Sequence, residues 1–214
     1  GFFRMYGACV ASNGVSFTIN SHGATRCTLL LFKPQAPKPY ARIPFPDSYR
    51  IGDTYSMLVF DIKPDEFEYA FSFDGPYEPA KGLLFNEENV LLDPYSRAVT
   101  GQRKWGEKPE GGKDFEYRAR VVKSSFDWGN IKQLEQPFED LVIYEIHVRG
   151  YTKDKSSGVS APGTFAGLKD KIPYLKDLGI NAVELMPIFE FDEMESARVV
   201  DGVQLYNYWG YNTV

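Results

Sequence analysis

Residues 141–152 read LVIYEIHVRGYT, and residues 163–188 read GTFAGLKDKIPYLKDLGINAVELMPI. In the first stretch Val142, Tyr144, Ile146 and Val148 alternate with Glu145, His147 and Arg149. Alternation of this kind is the signature of a strand. Its apolar set fits packing on helices, and its charged set would then point toward a barrel interior or rim. A polar loop, residues 153–160, follows. Phe165, Leu168, Ile172, Leu175 and Leu178 then recur at helical spacing. Thr164 suits the N-cap, and Gly179 suits the position just past the C-terminus. Pro173 either kinks this helix or opens a second helical segment. Residues 180–187 read as a second buried strand. A parallel strand–helix–strand unit of this length is the repeating element of an α/β barrel.

Upstream the periodicity changes. Residues 1 to about 100 read as short strands separated by turns, which predicts a β-sandwich. Val15, Phe17 and Ile19 share one face of a strand over 15–20, and residues 27–32 form another after a Ser-His-Gly turn. Residues 55–62 and 67–73 are two more, joined by Lys63-Pro64-Asp65-Glu66 in what reads as a hairpin. Residues 4–11 add an edge strand, and residues 118–122 a further one. The proline-dense stretches 34–39 and 43–46 read as loops, because such prolines do not sit in a central strand. Residues 108–113 are turn-rich. No long amphipathic helix is expected before Pro162. The predicted organisation is a sandwich over 1–125, a linker over 126–140 and a barrel fragment over 141–214.

Composition narrows the function classes. Apolar residues make up 43% of the chain and charged residues 25%, as in a globular protein. The net charge is −5 and the pI about 5.2, with no basic stripe, so nucleic acid is not expected as a partner. No apolar run reaches membrane-spanning length, so a membrane partner is not expected either. Cys9 and Cys27, outside any CxxC pattern, read as buried free thiols. The chain opens Gly1-Phe2-Phe3-Arg4, without methionine or a signal-peptide pattern, and reads as already shortened at that end. The compartment stays open, with a lean to the cytoplasm. Aromatic residues reach 15%. Aromatic-rich strands explain that content, and so does sugar binding on flat rings.

Few residues in the chain suggest catalysis. Glu190, Asp192, Glu193, Glu195 and Asp201 crowd one segment, but their spacing fixes no catalytic pair, and they read as solvated surface. His147 and Glu145, two apart, lack a third ligand, and His22 sits in a turn, so no metal is expected. No Gly-rich phosphate loop and no Gly-x-Ser-x-Gly elbow occurs, and no cofactor is expected. Residues 207–212, NYWGYN, stand apart. Tyr208, Trp209 and Tyr211 are bracketed by Asn207 and Asn212 and broken by Gly210. This is either a packed loop or a sugar subsite in which rings stack and amides bind hydroxyls.

Several segments together carry a family likeness. Residues 71–100 read FSFDGPYEPAKGLLFNEENVLLDPYSRAVT, residues 126–129 read FDWG, and YEIHV follows at 144–148. With residues 172–187 and NYWGYN, they resemble the α-amylase family of glycoside hydrolases. The closer likeness is to its debranching branch, the isoamylases and bacterial glycogen debranching enzymes. The resemblance implies an N-terminal immunoglobulin-like sandwich of the glycogen- and starch-associated type, followed by the first βαβ part of a (β/α)8 TIM barrel. It implies a retaining hydrolase of α-1,6 branch linkages with an aspartate nucleophile and a glutamate acid/base about 5 Å apart. In the family these carboxylates follow the fourth and fifth barrel strands, and a third follows the seventh. A complete barrel takes about 250 residues, so residues 141–214 supply only its first two strands.

None of the catalytic carboxylates is therefore carried over, and residues 1–214 alone are expected to be inactive. Tyr211 matches the ring that stacks on the sugar before the scissile bond, with Tyr208 and Trp209 either shaping that subsite or packing beneath it. Trp105 and Trp128 are candidate sugar platforms of the N-terminal module. The implied partners are branched α-glucans (glycogen, amylopectin, limit dextrins) and the missing C-terminal remainder of the barrel. The alternative is a non-catalytic glucan-binding or subunit-interaction module. A family member of other specificity, such as a branching or trehalose-forming enzyme, is a third reading.

Overall fold

The computed structural model describes residues 5–101, 104–107, 117–123 and 126–214. The turn-rich stretch expected at 108–113 lies outside them. The chain divides into two compact units, Gly1–Phe126 and Asp127–Val214.

Among its described residues the first unit has eleven strands: β1 (Gly7–Ala11), β2 (Gly14–Asn20), β3 (Arg26–Phe32), β4 (Ala41–Pro44), β5 (Arg50–Ile51), β6 (Thr54–Phe60), β7 (Glu68–Asp74), β8 (Tyr77–Glu78), β9 (Leu83–Leu84), β10 (Ala98–Thr100) and β11 (Arg118–Arg120). One sheet has the order β1-β2-β6-β5 and the other β10-β11-β7-β3-β4. Their inner faces share one core. Val15, Phe17 and Ile19 of β2 and Tyr55 and Met57 of β6 pack with Leu29 and Leu31 of β3 and Tyr69, Phe71 and Phe73 of β7. The face predicted for β2 is the one that is buried. Ring pairs lock the layers: Phe17 meets Tyr69 edge-on at 5.1 Å, and Phe45 meets Tyr55 edge-on at 6.0 Å.

The outer face of the five-stranded sheet is also covered. Leu30, Phe32 and Ala70 form a second buried cluster against Val90. The run Leu29-Leu30-Leu31-Phe32 is apolar on both sides because this strand is buried on both sides. A buried charge pair completes that face. Arg118 lays its guanidinium over the Phe32 ring at 3.6 Å, lies 3.6 Å from Glu68 and donates to the carbonyl of Ala36.

Three local expectations change. The Lys63–Glu66 segment is not a hairpin, because β6 and β7 belong to different sheets. Pro64–Glu66 forms a 3-10 turn, and the flanking Ile62 and Phe67 both pack into the shared core, which carries the chain across the sandwich. Ile43 and Pro44 lie in strand β4 rather than a loop. This strand is at the sheet edge, where a proline removes no pairing donor. Both cysteines are free thiols, but only Cys27 is buried; Cys9, on edge strand β1, is half-buried.

The DPY motif has a structural cause. Leu91 bridges Phe71 of β7 through both backbone groups, at 2.8 and 2.9 Å. Two residues on, the fully buried Asp93 accepts from the Tyr69 hydroxyl at 2.7 Å and from the Tyr95 amide at 2.8 Å. Burial pushes the Asp93 carboxyl above the usual range, and these two hydrogen bonds pull it back.

The second unit contains β12 (Ile143–Ile146), α1 (Val148–Lys153), α2 (Phe165–Asp170), α3 (Ile172–Asp177), β13 (Ala182–Leu185), β14 (Arg198–Val200) and β15 (Val203–Leu205). β12 and β13 are parallel, with Ile143 opposite Ala182 and Ile146 opposite Leu185. Thr164 caps α2 by accepting from the Gly167 amide at 3.1 Å, as predicted. Gly179 follows α3 with φ of 86° and donates to the Lys176 carbonyl. Pro173 stands in the first turn of α3, so the helical pattern is two segments. The alternation read through Val148 stops earlier. His147 accepts from the Gly150 amide as the cap of α1, and Val148 is already helical. Of the apolar positions expected to be buried on these strands, Ile146 is, while Val142, Tyr144, Val183 and Leu185 are exposed.

Tyr69→Phe should therefore destabilise the protein by about 1–3 kcal/mol, because Asp93 loses a buried partner. Asp93 titrates above its unfolded value, so its contribution to stability is greatest at low pH and is lost as pH rises through the folded value. Urea denaturation at several pH values should show that the variant loses more stability than the parent over that rise.

Candidate functional site

The site grows from residues 190–214 of the second unit. Gly210 is buried and takes φ of 72°, a left-handed conformation. A Cβ placed there would lie 2.8 Å from the Phe191 ring. Both facts require glycine at this position. Phe191 in turn bridges Thr213, the Val214 amide donates to the Glu190 carbonyl, and the Asn207 amide donates to the Glu193 carbonyl. The aromatic segment is thus strapped along residues 190–193. The Asn207 side chain accepts from the Gly210 amide at 3.4 Å, which closes the turn that displays Tyr208 and Trp209.

Tyr208, Trp209 and Tyr211 line one open cleft of about 540 Å³, together with Glu195, Arg198 and Leu205. Tyr211 is 66% exposed, so its ring is presented rather than packed. The rings of Tyr208 and Trp209 meet edge-on at 5.8 Å. A cleft with flat rings, two amides and a charge of each sign can hold a flat, hydroxyl-rich ligand.

The acidic segment is not uniformly solvated. Glu193 is fully buried. Glu190 is exposed, yet desolvation and then the Glu193 charge hold its carboxyl above the usual range. The expectation of solvated surface fails for Glu193, because residues 207–214 fold over this stretch. Among the described residues no group of acidic, His or Cys side chains could hold a metal ion. No helix among them is long and apolar enough to cross a membrane.

His147, at which no metal is expected, lies against two of the rings that line the cleft. Its ring stacks on Tyr208 at 4.4 Å and meets the edge of Trp209 at 5.6 Å. The sequence signal was its place at the end of a parallel strand, where α/β units gather ligand-facing residues. His22 makes an exposed 2.8 Å contact with Asp53. Trp105 is 48% exposed and Trp128 68% exposed. Trp105 lies in the first unit, and Trp128 belongs to the second rather than to the sandwich module.

In chain order, then, a mostly-β, sandwich-like module is followed by a parallel strand–helix–strand unit. Residues 5–96 match the family carbohydrate-binding module 48, the isoamylase N-terminal domain. The chain is 37% identical to Isoamylase 1, chloroplastic, of Oryza sativa subsp. japonica, over 97% of this chain and 26% of that protein. It is 35% identical to the glycogen debranching enzyme of Yersinia enterocolitica, over 94% of this chain and 31% of that one. Among solved structures, pullulanase from Paenibacillus barengoltzii in complex with maltohexaose and alpha-cyclodextrin superposes with a TM-score of 0.67 at 19% identity, over 89% of this chain and 28% of that one. Residues 5–96 are thus similar to an isoamylase N-terminal domain, and the relatives named here are isoamylases and glycogen debranching enzymes. The resemblance read from the motifs holds. The chain spans 26% and 31% of the length of these two curated relatives.

Gly210→Ala should cost about 1–2 kcal/mol from the left-handed backbone alone, with the Phe191 contact adding to it. Amide exchange in residues 207–214 should accelerate while exchange in β2, β3 and β7 stays unchanged.

Proposed function

We propose that this chain is the N-terminal part of a retaining glycoside hydrolase that debranches α-1,6 linkages in glycogen or starch-derived glucans. The observation that carries this reading is the reach of the similarity. It runs over 97% of the chain, and so through the strand–helix–strand unit and not only through the module at 5–96. The sandwich of residues 1–125 is then of the immunoglobulin-like, starch-associated type, residues 126–140 are a linker, and residues 141–214 open a (β/α)8 barrel. The exposed apolar positions of β12 and β13 support that last point, since further barrel strands and helices would cover them.

In this reading Tyr211 stacks on the sugar before the scissile bond, while Tyr208 and Trp209 shape the subsite. The catalytic carboxylates belong to the remainder of the barrel. A non-catalytic glucan-binding role is the second reading, favoured by the exposed Trp105 and Trp128.

The intact protein should release reducing ends from amylopectin, and residues 1–214 expressed alone should release none. Hydrolysis by residues 1–214 alone would sink the placement of the carboxylates. Tyr211→Ala in the intact protein should weaken apparent affinity for a branched dextrin about tenfold, the scale of one lost ring stack. Glucan binding that depends on Trp105 or Trp128 and is indifferent to Tyr211, with no hydrolysis, would favour the binding module instead.

A further inference from the structure

The ring of His147 has two nitrogens with opposite duties. Nδ1 lies 3.0 Å from the amide nitrogen of Gly150, and Nε2 lies 3.1 Å from the carbonyl oxygen of Tyr208. An amide N–H can only donate, so Nδ1 must present its lone pair. A carbonyl can only accept, so Nε2 must carry the hydrogen. One tautomer satisfies both partners, the neutral ring protonated at Nε2. The half-buried ring also lies against Tyr208, with centroids 4.4 Å apart and planes 29° from parallel. Gly150 completes the seat, since a Cβ there would come 2.8 Å from the Tyr208 hydroxyl and 3.2 Å from His147 Nδ1.

The aromatic loop therefore has two anchors. One is the strap of residues 207–214 along 190–193. The other is His147, which ties the loop to the end of β12 and the start of α1. Tyr211 lies between the Tyr208 carbonyl and the Phe191–Thr213 bridge, so its placement depends on both.

From this geometry we infer that His147 is a positioning residue of the cleft. Fixed in one tautomer by α1, it clamps Tyr208 and so sets the ring of Tyr211 without touching sugar. The inference rests on the reading of Tyr211 as a sugar-stacking residue, and its test separates the two.

Three substitutions in the intact protein make that test. His147→Asn keeps an acceptor near Nδ1 for the α1 cap and loses the reach to Tyr208. His147→Gln keeps a donor near Nε2. Tyr211→Ala removes the ring itself. The nitrogen NMR shifts of the His147 ring should report hydrogen at Nε2 and a lone pair at Nδ1. His147→Asn should weaken apparent affinity for a branched dextrin about fivefold, the scale of one side-chain hydrogen bond. His147→Gln should recover most of that loss. In the Tyr211→Ala background His147→Asn should add little, because both changes remove one thing.

A ring protonated at Nδ1 would overturn the clamp. An effect of His147→Asn that is absent, or is undiminished in the Tyr211→Ala background, would overturn the positioning role. If Tyr211→Ala leaves affinity unchanged, the sugar-stacking reading falls, and the positioning of Tyr211 for sugar falls with it. The ring tautomer then still decides whether the clamp on Tyr208 exists.

Discussion

The first unit depends on a five-stranded sheet buried on both faces. Leu29 and Leu31 point into the shared core while Leu30 and Phe32 point away from it, and all four are buried. A sheet covered twice needs polypeptide outside the sandwich to do the covering. Val90 supplies part of that cover. The segment that follows is held by the Leu91–Phe71 bridge and by Asp93 reaching Tyr69. The motif LLDPY is thus a clasp on β7, the middle strand of that sheet. Its aspartate offsets the cost of burial by accepting from both a phenol and an amide.

The second unit rests on different physics. Its two parallel strands bury little by themselves, and its order comes from caps and close approaches. Thr164 and His147 cap helices with side-chain acceptors, and Gly150, Gly167 and Gly210 each sit where a Cβ would press on a neighbour. Gly167, for example, would bring a Cβ to 2.3 Å of the Ala161 carbonyl. Such contacts give precise placement at low buried area. A ligand-facing loop needs the same property, since rings that stack on sugar must be both exposed and fixed.

Much of this was legible in the sequence. The buried face of β2, the Thr164 cap, the Gly179 terminus and the presence of a parallel strand pair follow from local periodicity and cap chemistry. The aromatic cluster was visible as a loop because asparagines bracket it. What stayed hidden was decided at long range. Lys63–Glu66 carries ordinary turn residues, and only the inward packing of Ile62 and Phe67 makes it a crossing between sheets. Glu193 looks like any surface acid until residues 207–214 fold over it. His147 has a partner 61 positions away in the Tyr208 carbonyl, a pairing that no local window contains.

The membership of the core has a temporal side. Ala119 and Val121 belong to the same buried cluster as Val15 and Phe17, and β11 meets β7 at Tyr69. On a ribosome that makes about 5–20 residues per second, the earliest strands must wait for the last one. Until Val121 emerges, the outer edge of β7 and part of the apolar interior have no native cover. The unit closes late in its own synthesis, when Ala119 and Val121 complete the core.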